Sequence, residues 1–270
     1  MIHKNRSKLE VSMLVLSKIE DLFLNLFANA ISFFAGVFLP KLWNSLTKAR
    51  RFRALNKFWG NIDRSALLVT CVHLSTVSDG EESTPRYLGF GDATAMKQIT
   101  EILANRQYLG ASVTIREYYE GKLLKEDKNN NLICVGGGIA NEVTTEMLYS
   151  IGVPRHFFDK DEDYPANENK TVRNHDDTWS VRPHVQNGRV IEDVGIIVKS
   201  QHPFYKDKVV IIFAGAYSYG TLAAAKFATE ETLLRQCENI LDADRFEIII
   251  KAKPDGYNIS QISVEWAGKF

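Results

Sequence analysis

Residues 208–228, KVVIIFAGAYSYGTLAAAKFA, combine a strand pattern, a glycine turn and a helix pattern in one stretch. Residues 208–213 form an apolar run of strand length, which predicts a strand covered on both faces. The turn contains Gly215 and Gly220, and a helix pattern follows from Thr221. Glycine lets the backbone approach a ligand closely, and the N–H groups that begin a helix attract anions such as phosphate. The stretch therefore predicts one unit of an α/β sheet with a ligand-binding turn.

The same order of apolar run, glycine and helix occurs at two earlier places. Residues 136–138, all glycine, directly follow the apolar residues 132–135. Gly89 and Gly91 precede a helical stripe after a long loop. In open α/β sheets such turns lie at the carboxyl ends of the strands, so the three turns are expected to line one pocket.

The alternation of strand and helix patterns predicts a Rossmann-like α/β domain with a mainly parallel sheet. Two antiparallel hairpins are predicted as additions to this sheet. The first joins residues 178–185 to residues 189–199 through Asn187 and Gly188, a pair typical of tight hairpin turns, and the second turns at residues 254–256. The other strands are expected at residues 66–73, 112–115, 132–135 and 208–213, and the helices at 93–104, 140–150 and 221–241.

The composition is that of a globular protein, with 45% hydrophobic and 24% charged residues in a chain of 270. The formal net charge is zero, so no overall field attracts the chain to nucleic acid. Cys71, Cys134 and Cys237 are widely spaced and odd in number, which predicts buried free thiols. The histidines show no metal-ligand spacing, and the sequence contains no P-loop motif for ATP hydrolysis.

Residues 22–40, LFLNLFANAISFFAGVFLP, contain no charged side chain, and their number approaches the roughly 20 that a membrane-spanning helix needs. This predicts a single-pass anchor helix and a basic juxtamembrane segment in residues 1–57, followed by the α/β domain in residues 58–270. Polar side chains within the run leave open a buried or interfacial helix at an oligomer face. By the positive-inside rule, the basic residues after the run place the domain in the cytoplasm. These residues are Lys41, Lys48, Arg50, Arg51, Arg53 and Lys57.

The three turns carry the residues that the sequence favours for a nucleotide site. Their glycines permit close approach to phosphate, and the hydroxyl and amide side chains lie where helices begin. For Asp92 of the first turn, the sequence also predicts a different role, that of a helix cap. The predicted ligand-binding residues are Gly136, Gly137, Gly138, Asn141, Thr144, Tyr219, Gly220, Thr221, Gly91 and Asp92.

Residues 213–222, FAGAYSYGTL, resemble the PGGxGT segment of the SLOG superfamily. These Rossmann-like domains include the cytokinin-activating LOG phosphoribohydrolases and DprA-type proteins. Residues 135–138 are similar to the earlier strand and glycine turn of the same family. The resemblance implies a nucleotide ligand, and it implies contacts with the phosphate or ribose for Gly137, Gly138, Gly220 and Thr221.

The chain departs from the family at the catalytic acid. Family enzymes have a glutamate shortly after the Gly-Thr pair, whereas Leu222 and three alanines, residues 223–225, follow Thr221 here. In bacterial antiviral systems, SLOG-like domains sense nucleotide signals and are joined to a membrane or enzymatic effector. The resemblance therefore implies a membrane-anchored nucleotide sensor whose partners are the bilayer, a small-molecule nucleotide and further copies of the chain.

Two other functions remain open from the sequence. An enzyme that cleaves an N-glycosidic bond of a nucleoside or of NAD needs a carboxylate to stabilise its oxocarbenium-like transition state. The acids expected in that role are Glu142, Glu117 and Asp193. The remaining function is that of a scaffold that only oligomerises at the membrane.

Overall fold

The computed structural model describes residues 52–60, 62, 65–71, 73–74, 86–87, 89–105, 111–118, 127–137, 141–157, 170–174, 176 and 178–270, together with residues 26, 27, 33 and 38 of the N-terminal segment. The chain divides into two compact units, Met1–Phe52 and Arg53–Phe270. Apart from those four residues, the predicted anchor lies outside the described part of the chain. Among the described residues, no helix is long and apolar enough to cross a bilayer. The anchor therefore stays a prediction.

The second unit alternates helices with strands. Its described helices are α1 (Arg53–Trp59), α2 (Phe90–Ala104), α3 (Glu142–Ile151), α4 (Ser218–Thr229) and α5 (Glu231–Leu234). Its described strands are β1 (Ser65–Cys71), β2 (His73–Leu74), β3 (Arg86–Tyr87), β4 (Ser112–Tyr118), β5 (Asn131–Val135), β6 (Arg155–Phe157), β7 (Val172–Asn174), β8 (Ser180–Val181), β9 (His184–Gln186), β10 (Arg189–Gln201), β11 (Val209–Gly215), β12 (Phe246–Asp255) and β13 (Asn258–Lys269).

The main sheet is mixed and has the strand order β13-β12-β10-β11-β5-β1-β4, with β9 paired to β10. Strands β11, β5, β1 and β4 run parallel, while β9, β10, β12 and β13 add antiparallel pairings. Two short sheets accompany it, β2-β3 and β6-β7-β8. The predicted α/β class, with a parallel sheet and antiparallel additions, is confirmed. The antiparallel half is larger than the sequence pattern indicated, because β10 lies inside the sheet between β11 and β12.

The first predicted hairpin forms at the expected turn but with a shorter first strand. Asn187 and Gly188 have φ values of 50° and 73°, the left-handed conformation that a two-residue hairpin turn requires. Residues 178–185 do not form one strand, because Pro183 separates β8 from β9 and proline lacks the N–H that a sheet ladder needs. Strand β8 therefore pairs with β7, and only β9 pairs with β10.

Helices cover both faces of the main sheet. On one face, Leu67 and Val69 of β1 belong to the same buried cluster as Val143 and Met147 of α3. On the other face, the ring of Phe213 packs against α1, and α1 and α4 are joined by a hydrogen bond. The chain passes from β1 through α2 to β4 on one side of β1, and later enters β5 on the other side. The strand order reverses between β1 and β5, the position where open α/β sheets form a ligand crevice.

Helix α1 is held at both ends by charged side chains of the domain. The N–H groups of Ala54 and Leu55 donate to the two carboxylate oxygens of Glu231 at 3.1 and 2.9 Å. At the other end, the buried Lys199 ammonium donates to the carbonyl oxygen of Phe58. An acid at the amino end and a cation at the carboxyl end both complement the helix dipole. The compact unit therefore begins at the first residue of α1.

Two residues of the predicted juxtamembrane basic stretch form ion pairs inside this unit. Arg53 lies 2.7 Å from a carboxylate oxygen of Glu238, and the Lys57 ammonium lies 2.7 Å from one of Asp242. Both cations belong to α1, and the boundary drawn from sequence at Phe58 falls within that helix. Their charges are therefore paired with acids of the domain itself.

We expect Glu231→Gln to lower the free energy of unfolding of the full chain by about 1–2 kcal/mol, because one acceptor for the α1 backbone is replaced by a donor. Urea titration followed by circular dichroism measures this. The matched control is Glu230→Gln, whose exposed ion pair with Lys226 spans 3.9 Å and contributes little. Equal losses for the two variants would contradict the capping role.

The three-stranded sheet is attached to the main sheet by a buried ion pair. Arg155 of β6 donates from its guanidinium to Glu247 of β12 at 3.0 Å, and its guanidinium carbon lies 3.9 Å from the centroid of the Trp266 ring. The Glu247 side chain has no exposed surface. Burial raises the pKa of Glu247 to about 7 from its ordinary 4.5, while Arg155 acts in the opposite direction. The folded chain therefore holds a proton here that the unfolded chain releases near pH 4.5.

Glu247 holds its proton more tightly in the folded chain than in the unfolded chain. We therefore expect its contribution to the free energy of unfolding to fall as pH rises from about 4.5 to about 7. Glu247→Gln removes this titration, so its unfolding free energy should lose that part of the pH slope. Urea titrations at several pH values measure the difference. The control Glu265→Gln changes an exposed glutamate of β13 and should keep the wild-type slope. A wild-type slope in Glu247→Gln would contradict the assignment.

Candidate functional site

The second and third glycine turns lie side by side at the carboxyl ends of β5 and β11. The Gly136 N–H donates to the carbonyl oxygen of Phe213 at 2.9 Å. A Cβ built on Gly137 would lie 2.7 Å from the carbonyl oxygen of Gly215. The turns are thus in direct contact although they are far apart in sequence, and they adjoin the reversal of strand order between β1 and β5.

The first turn also packs against the third, at the start of α4. A Cβ built on Gly91 would lie 2.0 Å from the carbonyl oxygen of Ser218, so only glycine fits between α2 and α4 here. The Phe90 ring lies 4.8 Å from the Tyr257 ring, and the Tyr219 hydroxyl donates to the carbonyl oxygen of Gly256 at 3.0 Å. The three predicted turns therefore gather at one edge of the sheet, and the tip of the β12-β13 hairpin joins them.

The polar residues of the second turn hold its shape. The Asn141 side chain accepts the N–H groups of Val143 and Thr144 at 3.1 and 3.3 Å and donates to the carbonyl oxygen of Val135. The Thr144 hydroxyl donates to the carbonyl oxygen of Gly136 at 3.1 Å. Both Asn141 and Thr144 are buried. Their hydrogen bonds inside the protein explain these residues without a ligand, and their ligand role stays a prediction.

Of Gly136 and Gly137, the two described glycines of this turn, Gly136 has the backbone conformation that favours the absence of a side chain. Its φ is 110°, which other residues rarely adopt. Gly138 lies outside the described residues. The carboxyl end of β5 therefore carries a turn whose shape depends on glycine, next to the crevice that the strand order creates.

Asp193 occupies the position that the sequence favoured for a phosphate at the third turn. One of its carboxylate oxygens accepts the N–H groups of Val194 and Tyr217 at 2.8 and 3.1 Å. The other accepts the Gly220 N–H at 2.5 Å. The side chain comes from β10 and is fully buried. Two N–H groups at the start of α4, those of Tyr217 and Gly220, are therefore satisfied by a carboxylate of the protein itself.

The surroundings of Asp193 act on its pKa in opposite directions. Burial raises the pKa to about 6, whereas the three backbone N–H groups and the positive charge of Lys170 lower it. Thr221, another predicted ligand residue, is buried one residue after Gly220. In the sequence, Asp193 lies just before an apolar run. This position does not show whether the side chain caps a helix or acts as a catalytic acid.

The other predicted acids have different environments. Glu142 is exposed in the first turn of α3, directly after the second glycine turn. Glu117 lies on the edge strand β4, and its side chain lies outside the described residues. Asp92 is buried in the first turn of α2. No group of histidine, cysteine, aspartate and glutamate in the described part of the chain is arranged to hold a metal ion.

Sequence reasoning missed Lys170. Its Nζ lies 3.5 Å from the centroid of the Tyr217 ring, at the cap position of α4. The sequence places the residue within a polar segment, residues 159–177, that predicts an exposed loop, so its position beside the third turn has no signal in the sequence. A positive charge thus stands at the same edge of the sheet as the glycine turns.

A separate cleft of about 290 Å³ opens at the other end of β11, between the end of β10 and the start of β11. Its lining includes Lys199, Lys206 and Asp244. The Lys199 ammonium is engaged with α1, and burial lowers the pKa of Lys199 to about 8. This cleft lies at the start of β11, whereas the third glycine turn lies at its end.

Comparison with known proteins assigns no family to the chain: no protein-family model matches its sequence, and no curated protein matches it.

We expect Asp193→Ala to lower the free energy of unfolding by about 1–3 kcal/mol, because buried N–H groups at the start of α4 lose their acceptor. Thermal and urea unfolding measure the loss. Asp207→Ala is the control, since that aspartate is exposed in the loop between β10 and β11. If the Asp193→Ala variant were as stable as the wild type, the capping role would be contradicted. Asp193 would then again be a candidate for a free acid.

Proposed function

We propose that the chain is a nucleotide sensor with a SLOG-like domain, whose ligand lies at the carboxyl ends of β1 and β5. The observation that carries this proposal is the reversal of strand order between these strands, next to the turn that requires glycine at Gly136. Open α/β sheets bind ligands at such reversals. The contact between Gly137 and Gly215 supports a single crevice built from two turns.

Several observations favour binding over turnover. The family glutamate after the Gly-Thr pair is absent, and both carboxylate oxygens of Asp193 accept backbone hydrogen bonds. The buried Asn141 and Thr144 hold the shape of the turn by donating to the backbone carbonyl oxygens of Val135 and Gly136. Among the described residues, a crevice whose buried Asp193 is engaged by the backbone suits recognition of a nucleotide better than cleavage of one.

The proposed sensor is anchored by residues 22–40, with its domain in the cytoplasm and with further copies of the chain as partners. Helix α4 supports a connection between the crevice and α1, because it begins at the third turn. Near its other end, the carbonyl oxygen of Ala228 accepts the indole N–H of Trp59 at 2.8 Å. Ligand binding would thereby alter assembly of the N-terminal segments, which fits an effector of bacterial antiviral defence.

Cleavage of an N-glycosidic bond is the second candidate function. Glu142 favours it, because this exposed carboxylate is the first residue of α3 and follows the glycine turn of the crevice. A single carboxylate of this kind can stabilise an oxocarbenium-like transition state. Release of free base from NAD or from a nucleotide distinguishes this function from sensing.

Calorimetry of the full chain in mild detergent with AMP, ADP, cyclic AMP and NAD tests the proposal. We expect at least one of these nucleotides to bind and to raise the melting temperature, since a ligand of the folded state stabilises it. Gly136→Ala should weaken binding about tenfold or more, because alanine is strained at its φ of 110°. The matched control is Gly188→Ala, which carries similar strain at a φ of 73° in a hairpin turn with open space around it.

Three results would contradict the sensor. Binding of none of the four nucleotides would favour a scaffold that only oligomerises. If Gly136→Ala and Gly188→Ala weakened nucleotide binding equally, the ligand would not bind in the crevice at Gly136. Chromatography of the same mixtures detects turnover. If the wild type released free base and Glu142→Gln did not, the chain would be an enzyme that cleaves the N-glycosidic bond.

A further inference from the structure

Lys170 combines a defined position with an available positive charge. It lies at the start of the segment that leads into β7, and its side chain is half-buried. The ammonium rests on the Tyr217 ring at 3.5 Å from the centroid, a distance typical of a cation–π contact. This contact holds a long, flexible side chain in one place and lowers the entropy that it loses when a ligand binds.

The ring that carries Lys170 belongs to the third glycine turn, which contacts the second. Tyr217 caps α4, and its N–H is fixed by Asp193 at 3.1 Å. It stands two residues after Gly215, whose carbonyl oxygen would lie 2.7 Å from a Cβ on Gly137. The ammonium is therefore placed beside both glycine turns by a chain of fixed contacts.

The charges around Lys170 leave its donors to meet a ligand. The nearby carboxylate of Asp193 is buried and accepts three backbone N–H groups, and the charge of Lys170 acts on it. In the described part of the chain, the ammonium of Lys170 contacts the Tyr217 ring and no hydrogen-bond acceptor. A lysine ammonium has three N–H donors, and a ring face accepts none of them strongly.

We propose that Lys170 recognises the phosphate of the ligand and so selects phosphorylated nucleotides over nucleosides. This inference rests on the proposed function. With the N–H groups of Tyr217 and Gly220 at the start of α4 engaged by Asp193, the ammonium of Lys170 supplies the positive charge that the third turn alone was expected to supply. A phosphate monoester carries one to two negative charges at neutral pH and accepts charge-assisted hydrogen bonds from lysine.

Calorimetry of the full chain with each 5′-monophosphate and its matching nucleoside tests this role. Lys170→Met keeps the length of the side chain and removes its charge, and it should weaken nucleotide binding at least about tenfold while nucleoside binding is unchanged. Lys170→Arg restores the charge and should restore most of the affinity. Lys206→Met, at an exposed lysine beside the opposite cleft, should bind like the wild type. Affinity of the wild type for the monophosphate should also fall with added salt more than that of Lys170→Met.

The outcomes separate the two proposals. If the wild type binds a monophosphate and Lys170→Met binds it equally well, the assignment of Lys170 is wrong and the sensor proposal stands. If the wild type binds neither nucleotides nor nucleosides, the sensor proposal fails and the role of Lys170 fails with it. Equal weakening of nucleotide and nucleoside binding in Lys170→Met, with an unchanged melting temperature, would show a packing role in place of phosphate recognition.

Discussion

The carboxylate of Asp193 organises the region where strand, turn and helix meet. It comes from β10, the antiparallel strand inside the sheet, and it accepts the backbone N–H groups of Tyr217 and Gly220, which follow the end of β11 in the chain. A buried carboxylate is tolerated only where donors compensate its charge, so the start of α4 must lie against β10. Helices α1 and α2 both pack on α4, and their positions depend on it in turn.

This interaction also changes the meaning of the glycine turns. The start of a helix is a general anion site, and here the anion for α4 belongs to the protein. Ligand recognition then depends on the remaining features of that edge: the turn at Gly136, the crevice between β1 and β5, and the cation of Lys170. Helix α4 extends from this edge to Trp59 of α1, which gives a proposed signal a short physical path.

Features that depend on neighbours in sequence were predictable. The buried strands followed from apolar runs, and the hairpin at Asn187 and Gly188 followed from the positive φ that this pair tolerates. The approach of the three turns followed from the rule that they share one end of a parallel sheet. The roles of Asn141 and Thr144 did not follow, because an amide that caps a helix and an amide that binds a ligand occupy the same place in the sequence.

By itself, the sequence determined the α/β class, the glycine turns and their common edge, since strand and helix periodicity and glycine conformation are local properties of the chain. Only the tertiary structure decided which acceptor fills the start of α4, that β10 lies inside the sheet, and that Lys170 stands over Tyr217. The two contacts at Tyr217 join it to groups that are 24 and 47 residues away in the chain, Asp193 and Lys170. Charge and hydrogen bonding determine these partners in the folded chain, and no periodic pattern in the sequence predicts them.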